Sequence, residues 1–175
     1  MGNQIAAKQT FAKADNPDRE EFYREVGLLT KLLHPCILNV YGVCYGAEES
    51  MFMVMEFCGG GDLEGFFKKK EFTEGEFLRV MQDILSGVSH LHWQGIAHRD
   101  LTPANVLLET GTNKAKIADF GLAKQNRTSV TRNAGTPAYM PPEMFSDDDA
   151  PATKANIFAV DIYAIAVIMC QLGYS

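Results

Sequence analysis

A chain of 175 residues with 46% hydrophobic content and no low-complexity tract has material for one good core, which argues against a disordered protein. With 16 Lys and Arg against 22 Asp and Glu, the net charge is -6, so bulk charge does not suggest a nucleic-acid or anionic-membrane partner. Four cysteines, Cys36, Cys44, Cys58 and Cys170, show no CxxC or His/Cys metal spacing, and reduced thiols in a cytoplasmic or nuclear setting fit best.

In chain order, the polar N-terminus lacks the apolar core of a secretory signal. Met1-Gly2 is followed by Ala6 where a myristoylation signal carries Ser or Thr. Gln4 to Gln9 alternates like a strand and carries Lys8. Glu21 to Leu33 sets Phe22, Val26, Leu29 and Leu33 at helical spacing, and Pro35 disfavours helical geometry at His34, so the helix ends there. Leu38 to Tyr45 and Met51 to Phe57 read as strands separated by the polar turn Gly46 to Ser50. Gly59, Gly60 and Gly61 read as a flexible connection, because no lysine follows them in the register of a phosphate-binding loop. Lys68 to Lys70 read as a solvated face.

Thr73-Glu74-Gly75-Glu76 is a capping box. Phe77, Val80, Met81, Ile84, Leu85, Val88 and Leu91 behind it predict a long core-facing helix that stops at Gly95. His90 and His92, two positions apart, point to different sides of that helix, which argues against a shared metal ion. Ile157 to Leu172 is apolar, but its 16 residues are too few to span a bilayer and include Asp161. A buried core helix is expected there, and its carboxylate needs a partner, since an unpaired buried charge costs several kcal/mol.

Between these helices, Ile96 to Leu108 forms a short polar turn flanked by apolar runs. It offers the imidazole of His98, the guanidinium of Arg99, the carboxylate of Asp100 and the carboxamide of Asn105. A carboxylate able to accept a hydroxyl proton, followed five positions on by an amide oxygen able to ligate a hard cation, is what phosphoryl transfer requires. Ala118-Asp119-Phe120-Gly121 and Gly135-Thr136-Pro137-Ala138-Tyr139-Met140-Pro141-Pro142-Glu143 follow in order. Together these segments resemble the catalytic loop (98–105) and the activation segment (119–143) of the eukaryotic protein kinases, with Pro141 where most members have Ala.

The resemblance implies an α+β, two-lobed protein-kinase-like fold. Residues 1–57 would form an incomplete β-rich N-lobe, and residues 58–175 an incomplete, mainly helical C-lobe with its core helix at about 157–172. It implies transfer of the γ-phosphoryl group of ATP to a protein hydroxyl, with Mg2+ as cofactor and a protein as substrate. Asp100 matches the residue that accepts or orients the substrate proton, Asn105 and Asp119 match the magnesium ligands, and Lys8, braced by Glu25, matches the phosphate anchor. Met55 matches the residue guarding the back of the nucleotide pocket. Glu56, Phe57 and Cys58 match the hinge that bonds adenine, and Leu107 matches the apolar residue beneath the ring. His98, Phe120, Leu29 and Val40 would stack as an apolar column. Asp161 matches the carboxylate that braces the catalytic loop, and Glu143 the residue that pairs with an arginine beyond position 175.

Arg99 matches the arginine that binds a phosphate on the activation segment, which makes Thr128, Ser129 and Thr131 candidate regulatory sites for an upstream kinase. Thr136 and the Gly-Thr-Pro-Ala-Tyr-Met pattern favour serine/threonine over tyrosine, in the manner of the tyrosine-kinase-like branch. Two departures stand out. Thr102 replaces the lysine of serine/threonine kinases, and Ala104 excludes the arginine of tyrosine kinases, leaving less positive charge at the transition state. The sequence also covers only the middle of the family's domain, without its glycine-rich strand pair or later helices. A truncated, non-catalytic kinase-like module that binds nucleotide weakly or serves as a scaffold is therefore the alternative.

Overall fold

The computed structural model of the chain describes residues 4–11, 17–47, 50–69, 73–125, 135–145 and 157–173. Strands β1 (Ile5–Phe11), β2 (Val40–Tyr45) and β3 (Ser50–Glu56) form an antiparallel sheet in the order β1-β3-β2, with helix α1 (Pro17–Leu29) against β2. The register sets Lys8 opposite Met53 and Ala6 opposite Met55. Because successive strand side chains alternate between faces, Lys8 shares a face with Ala6 while Ala7 takes the other.

The rest is mainly helical. Helices α2 (Leu63–Lys69), α3 (Glu74–Trp93) and α4 (Ile157–Gly173) are joined by two small ribbons, β4 (Ile96–Ala97) with β7 (Lys124–Gln125) and β5 (Val106–Leu108) with β6 (Ala115–Ile117). A sheet-rich first part followed by a helical second part is the α+β arrangement expected. None of the helices among the described residues is long and apolar enough to cross a membrane.

Helix α3 is the central beam. Its start is fixed by the capping box, with the Glu76 amide donating to Thr73 Oγ1 at 3.3 Å and the Thr73 amide donating to Glu76 Oε2 at 3.0 Å. Val80, Met81, Ile84, Val88 and Leu91 are buried along one face. Ile84 and Leu91, like Leu63 and Ile168 from α2 and α4, are wholly inaccessible. Burying each such side chain contributes about 1.5–3 kcal/mol, so this face holds the helical part together far more than any surface ion pair does.

Two expectations are corrected. Helix α1 ends at Leu29, where Thr30 Oγ1 donates to the Val26 carbonyl at 2.9 Å and the Leu32 amide to the Leu29 carbonyl at 3.0 Å. The tightened turn carries Leu32, 2% exposed, into the core and leaves Leu33 73% exposed. Leu85 lies one step round α3 from Ile84 and is also exposed, so it lies outside the apolar stripe. Helix α2 had no expectation attached to it, since its seven residues are too few to display a clear helical period.

Two glycines on α3 separate helix propensity from packing. A Cβ at Gly87 would stand 2.8 Å from the Cys36 carbonyl oxygen and 2.7 Å from Ile117 Cδ1, whereas one at Gly75 would meet nothing within 4 Å. Gly87→Ala is expected to destabilise the fold by about 1–3 kcal/mol through overpacking. Gly75→Ala is expected to stabilise it by about 0.5–1 kcal/mol through lost unfolded-state entropy. Urea denaturation followed by circular dichroism measures both, and a gain in stability for Gly87→Ala would contradict the close packing of α3 on β6.

Candidate active site

The loop after β4 is organised by one carboxylate. Asp161, 0% exposed in α4, accepts the His98 amide at Oδ2 (2.9 Å) and the Arg99 amide at Oδ1 (2.7 Å), and Oδ2 also contacts His92 Nε2 at 2.8 Å. Arg99 sits at φ 71°, a left-handed conformation that costs a non-glycine residue about 1–2 kcal/mol. The charge-assisted bonds to consecutive amides hold the chain in that turn. Burial pushes the Arg99 guanidinium below its ordinary pKa, with Asp161 acting in the opposite direction.

His98 is fully buried and does more than pack. Its Nδ1 accepts the Asp100 amide at 3.3 Å, which leaves Nε2 to donate to the Ala118 carbonyl at 3.0 Å, so the neutral ring carries its proton on Nε2. The ring meets Phe120 edge to face at 4.9 Å. Of the expected apolar column, His98 and Phe120 are in direct ring contact, and Leu29 and Val40 belong with Phe120 to the main core.

Asp100 is held at both oxygens. Oδ1 accepts from the Thr136 amide (2.9 Å) and Thr136 Oγ1 (2.8 Å), while Oδ2 accepts from Asn105 Nδ2 (3.2 Å). The same Nδ2 donates to the Asp100 carbonyl at 2.8 Å, leaving the Asn105 Oδ1 as the atom available to a cation. Thr102 is buried, and its hydroxyl accepts the Asn105 amide at 3.3 Å, capping the short turn Pro103–Asn105. The position that departs from the expected lysine thus supports Asn105 from below.

A cavity of about 220 Å³ lies beside this loop. Its polar lining comes from Lys8, Glu25, Asn105 and Asp119. Its apolar walls come from Leu29, Leu38, Val40, Met53, Met55, Ala104, Leu107, Ala118 and Phe120. Lys8 Nζ donates to Asp119 Oδ1 at 3.0 Å and stands 3.9 Å from Glu25 Oε1, so its shorter contact is with Asp119. Burial alone would lower the Lys8 pKa, but Glu25 and Asp119 outweigh it and hold the ammonium above the usual lysine value. Burial alone would raise the Asp119 pKa, but its bond to Lys8 outweighs that and holds the carboxylate below the usual value. Both side chains are about half exposed, so the pair adds at most about 1 kcal/mol to stability.

Of the expected site residues, Lys8, Glu25, Met55, Asn105, Leu107 and Asp119 line the cavity. Asp100 does not, and stands one hydrogen bond away through Asn105. Glu56 and Cys58 also lie outside the lining, on the segment running from Met55 toward Leu107. The Cys58 thiol is pushed up to about 11, first by burial and then by Glu56, which makes it a poor nucleophile. Thr128, Ser129 and Thr131 lie outside the described residues. Glu143 is exposed in the turn Pro142–Met144.

A divalent ion fits the donor set. Asp119 and Asn105 offer the hard oxygen ligands that magnesium takes, and among the described residues no group of three or more His, Cys, Asp or Glu could hold a metal ion by itself. Two side-chain ligands suit an ion whose remaining positions are filled by phosphates and water. Sequence reasoning missed the Thr136 contact to Asp100, the His92 contact to Asp161, and a pair between Lys116 and Glu56. The only available signal for the last was a lysine standing in the middle of the apolar run Ala115-Lys116-Ile117.

The family described as "Protein kinase domain" matches residues 1–174. The chain is 31% identical over 175 residues to CBL-interacting serine/threonine-protein kinase 24 of Arabidopsis thaliana, covering 98% of this chain and 38% of that protein. It is 32% identical over 178 residues to a probable serine/threonine-protein kinase of Dictyostelium discoideum, covering 98% and 19%. Against serine/threonine-protein kinase sid1 of Schizosaccharomyces pombe it is 30% identical over 167 residues, covering 94% and 35%. The chain thus spans less than two fifths of the length of each of these relatives.

Removing the Asp161 carboxylate leaves two buried amides without an acceptor. Asp161→Ala is expected to lower unfolding free energy by about 3–5 kcal/mol, measured by chemical denaturation. A loss below about 1 kcal/mol would mean that the loop holds its shape without this anchor.

Proposed function

This chain belongs to the protein kinase domain family, and on that premise we propose that it transfers the γ-phosphoryl group of ATP to serine or threonine hydroxyls of a protein substrate. The observation that carries the reading is the meeting of Lys8, Glu25, Asn105 and Asp119 at one cavity, with Asp100 one hydrogen bond further on. Composition alone would not bring together a strand lysine, a helix glutamate and two loop residues so far apart in sequence.

Lys8, kept charged by its acidic neighbours, would hold phosphate oxygens, and Asp119 with Asn105 would hold Mg2+, whose chemistry is to neutralise phosphate charge. Asp100 is the acceptor for the substrate proton. Its Oδ1 already takes two donors from Thr136, while Oδ2 takes one long bond from Asn105, so Oδ2 has room for the incoming hydroxyl. As the hydroxyl oxygen bonds to the γ-phosphorus, the bond to the bridging oxygen breaks, ADP leaves, and the proton moves to Asp100. Holding these groups in line is most of the protein's contribution.

The names of the relatives and the Thr136 contact support serine/threonine preference. We further propose that residues 1–57 and 58–175 act as the two lobes, and that Glu56 and Cys58 offer backbone groups to adenine. An upstream kinase acting at Thr128, Ser129 or Thr131 would regulate the enzyme through Arg99, in a cytoplasmic or nuclear setting. One observation favours the alternative, a weakly binding non-catalytic module: among the described residues lining the cavity Lys8 is the single cation, and Thr102 is committed to Asn105.

Radiolabelled Mg-ATP with a generic basic protein substrate, followed by phosphoamino-acid analysis, separates the two readings. The expected result is phosphoserine or phosphothreonine from the full chain, and a rate lower by about 10²–10⁴-fold for Asp100→Asn. Asp119→Asn is expected to abolish turnover. Equal rates for all three proteins, or no transfer by any, would overturn the enzymatic reading.

A further inference from the structure

Lys116 is 8% exposed at the centre of β6, an unusual place for a lysine unless its charge is answered. Its Nζ contacts both oxygens of Glu56, at 3.1 and 2.9 Å, and Glu56 Oε1 also accepts the Asn39 amide at 2.6 Å. The Glu56 amide in turn donates to the Asn39 carbonyl at 3.0 Å. Glu56 is therefore fixed at its side chain and its backbone.

The pair ties the end of β3 to β6. Glu56 closes β3, directly after Met55 in the cavity wall, and the chain then crosses to the opposite wall. There the Gly60 amide donates to the Leu108 carbonyl at 3.0 Å, and the Leu108 amide to the Gly61 carbonyl at 2.8 Å. Lys116 pairs across the ribbon with Leu107 on that wall and lies three positions before Asp119. The crossing segment, outside the lining itself, runs between the lining residues Met55 and Leu107 and so borders the cavity with main-chain groups. A flat base between the apolar walls would present its polar edge to this rim.

We propose that Lys116 is a positioning residue for nucleotide recognition, acting through Glu56 to set the backbone rim at residues 56–58 against the base edge. The inference rests on the nucleotide-binding reading of the cavity. The pair touches neither Lys8 nor Asp119, so its effect falls on discrimination among bases and leaves the grip on phosphates intact.

The test is calorimetric binding of Mg-ATP and Mg-GTP to the full chain and to Lys116→Met, Lys116→Arg and Glu56→Gln, with folding checked by circular dichroism. Lys116→Met is expected to weaken Mg-ATP binding about tenfold while Mg-GTP binding changes less than twofold, and Lys116→Arg is expected to restore most of the difference. Glu56→Gln keeps an acceptor for the Asn39 amide and removes only the charge, so it reads the ion pair even if Lys116→Met folds poorly. Both affinities falling together, or neither changing, would overturn the positioning role while leaving the nucleotide site intact. A wild-type chain that binds neither nucleotide would overturn the site itself and the positioning role with it.

Discussion

One buried carboxylate sets the geometry on which the rest depends. Asp161 receives successive amides of His98 and Arg99, so Arg99 is held in a left-handed turn that it would otherwise avoid. That turn directs Asp100 toward Thr136 and Asn105, and His98 toward Ala118 and Phe120. The two side chains that flank Arg99 are thereby sent to different tasks, Asp100 hydrogen-bonded to Thr136 and Asn105, and His98 packed against Phe120. The bonds made by the anchor are worth several kcal/mol and the strain about one or two, so the strained conformation is the stable one.

The surface and interior charges act on different scales. Lys8 and Asp119 are half exposed, and their contact does little for stability, yet it keeps both groups ionised at the cavity. Lys116 and Glu56 are nearly buried, so their charges are answered by each other and by the Asn39 amide, and the pair ties the end of β3 to β6. Apart from the Asp161 anchor, stability is left to apolar packing such as that along α3, where Ile84 and Leu91 are sealed from water. This division lets the polar groups be arranged for chemistry while the core carries the fold.

Legibility in the sequence followed the range of the interaction. The capping box of α3, the strand bearing Lys8 and the buried helix around Asp161 were readable because each signal lies within a few neighbouring residues. The motif order brought Asp100, Asn105 and Asp119 into one expected site, and the need for a partner to Asp161 followed from the cost of a buried charge. The end of α1 was misread, because Leu32 and Leu33 are equally apolar and only the tertiary turn chooses between them. Thr136 on Asp100, His92 on Asp161 and Lys116 on Glu56 join residues 36, 69 and 60 positions apart, and no local pattern encodes such distances. Thr102 was legible as a departure, but its role as a cap on Asn105 needed coordinates.

The anchoring of the loop by Asp161 is tested most directly by amide hydrogen exchange, followed by NMR on the full chain. The His98 and Arg99 amides should fall in the slowest class, exchanging only through global unfolding alongside the α3 core. Exchange as fast as that of the exposed turn at Gly111 would contradict the central role given to this carboxylate.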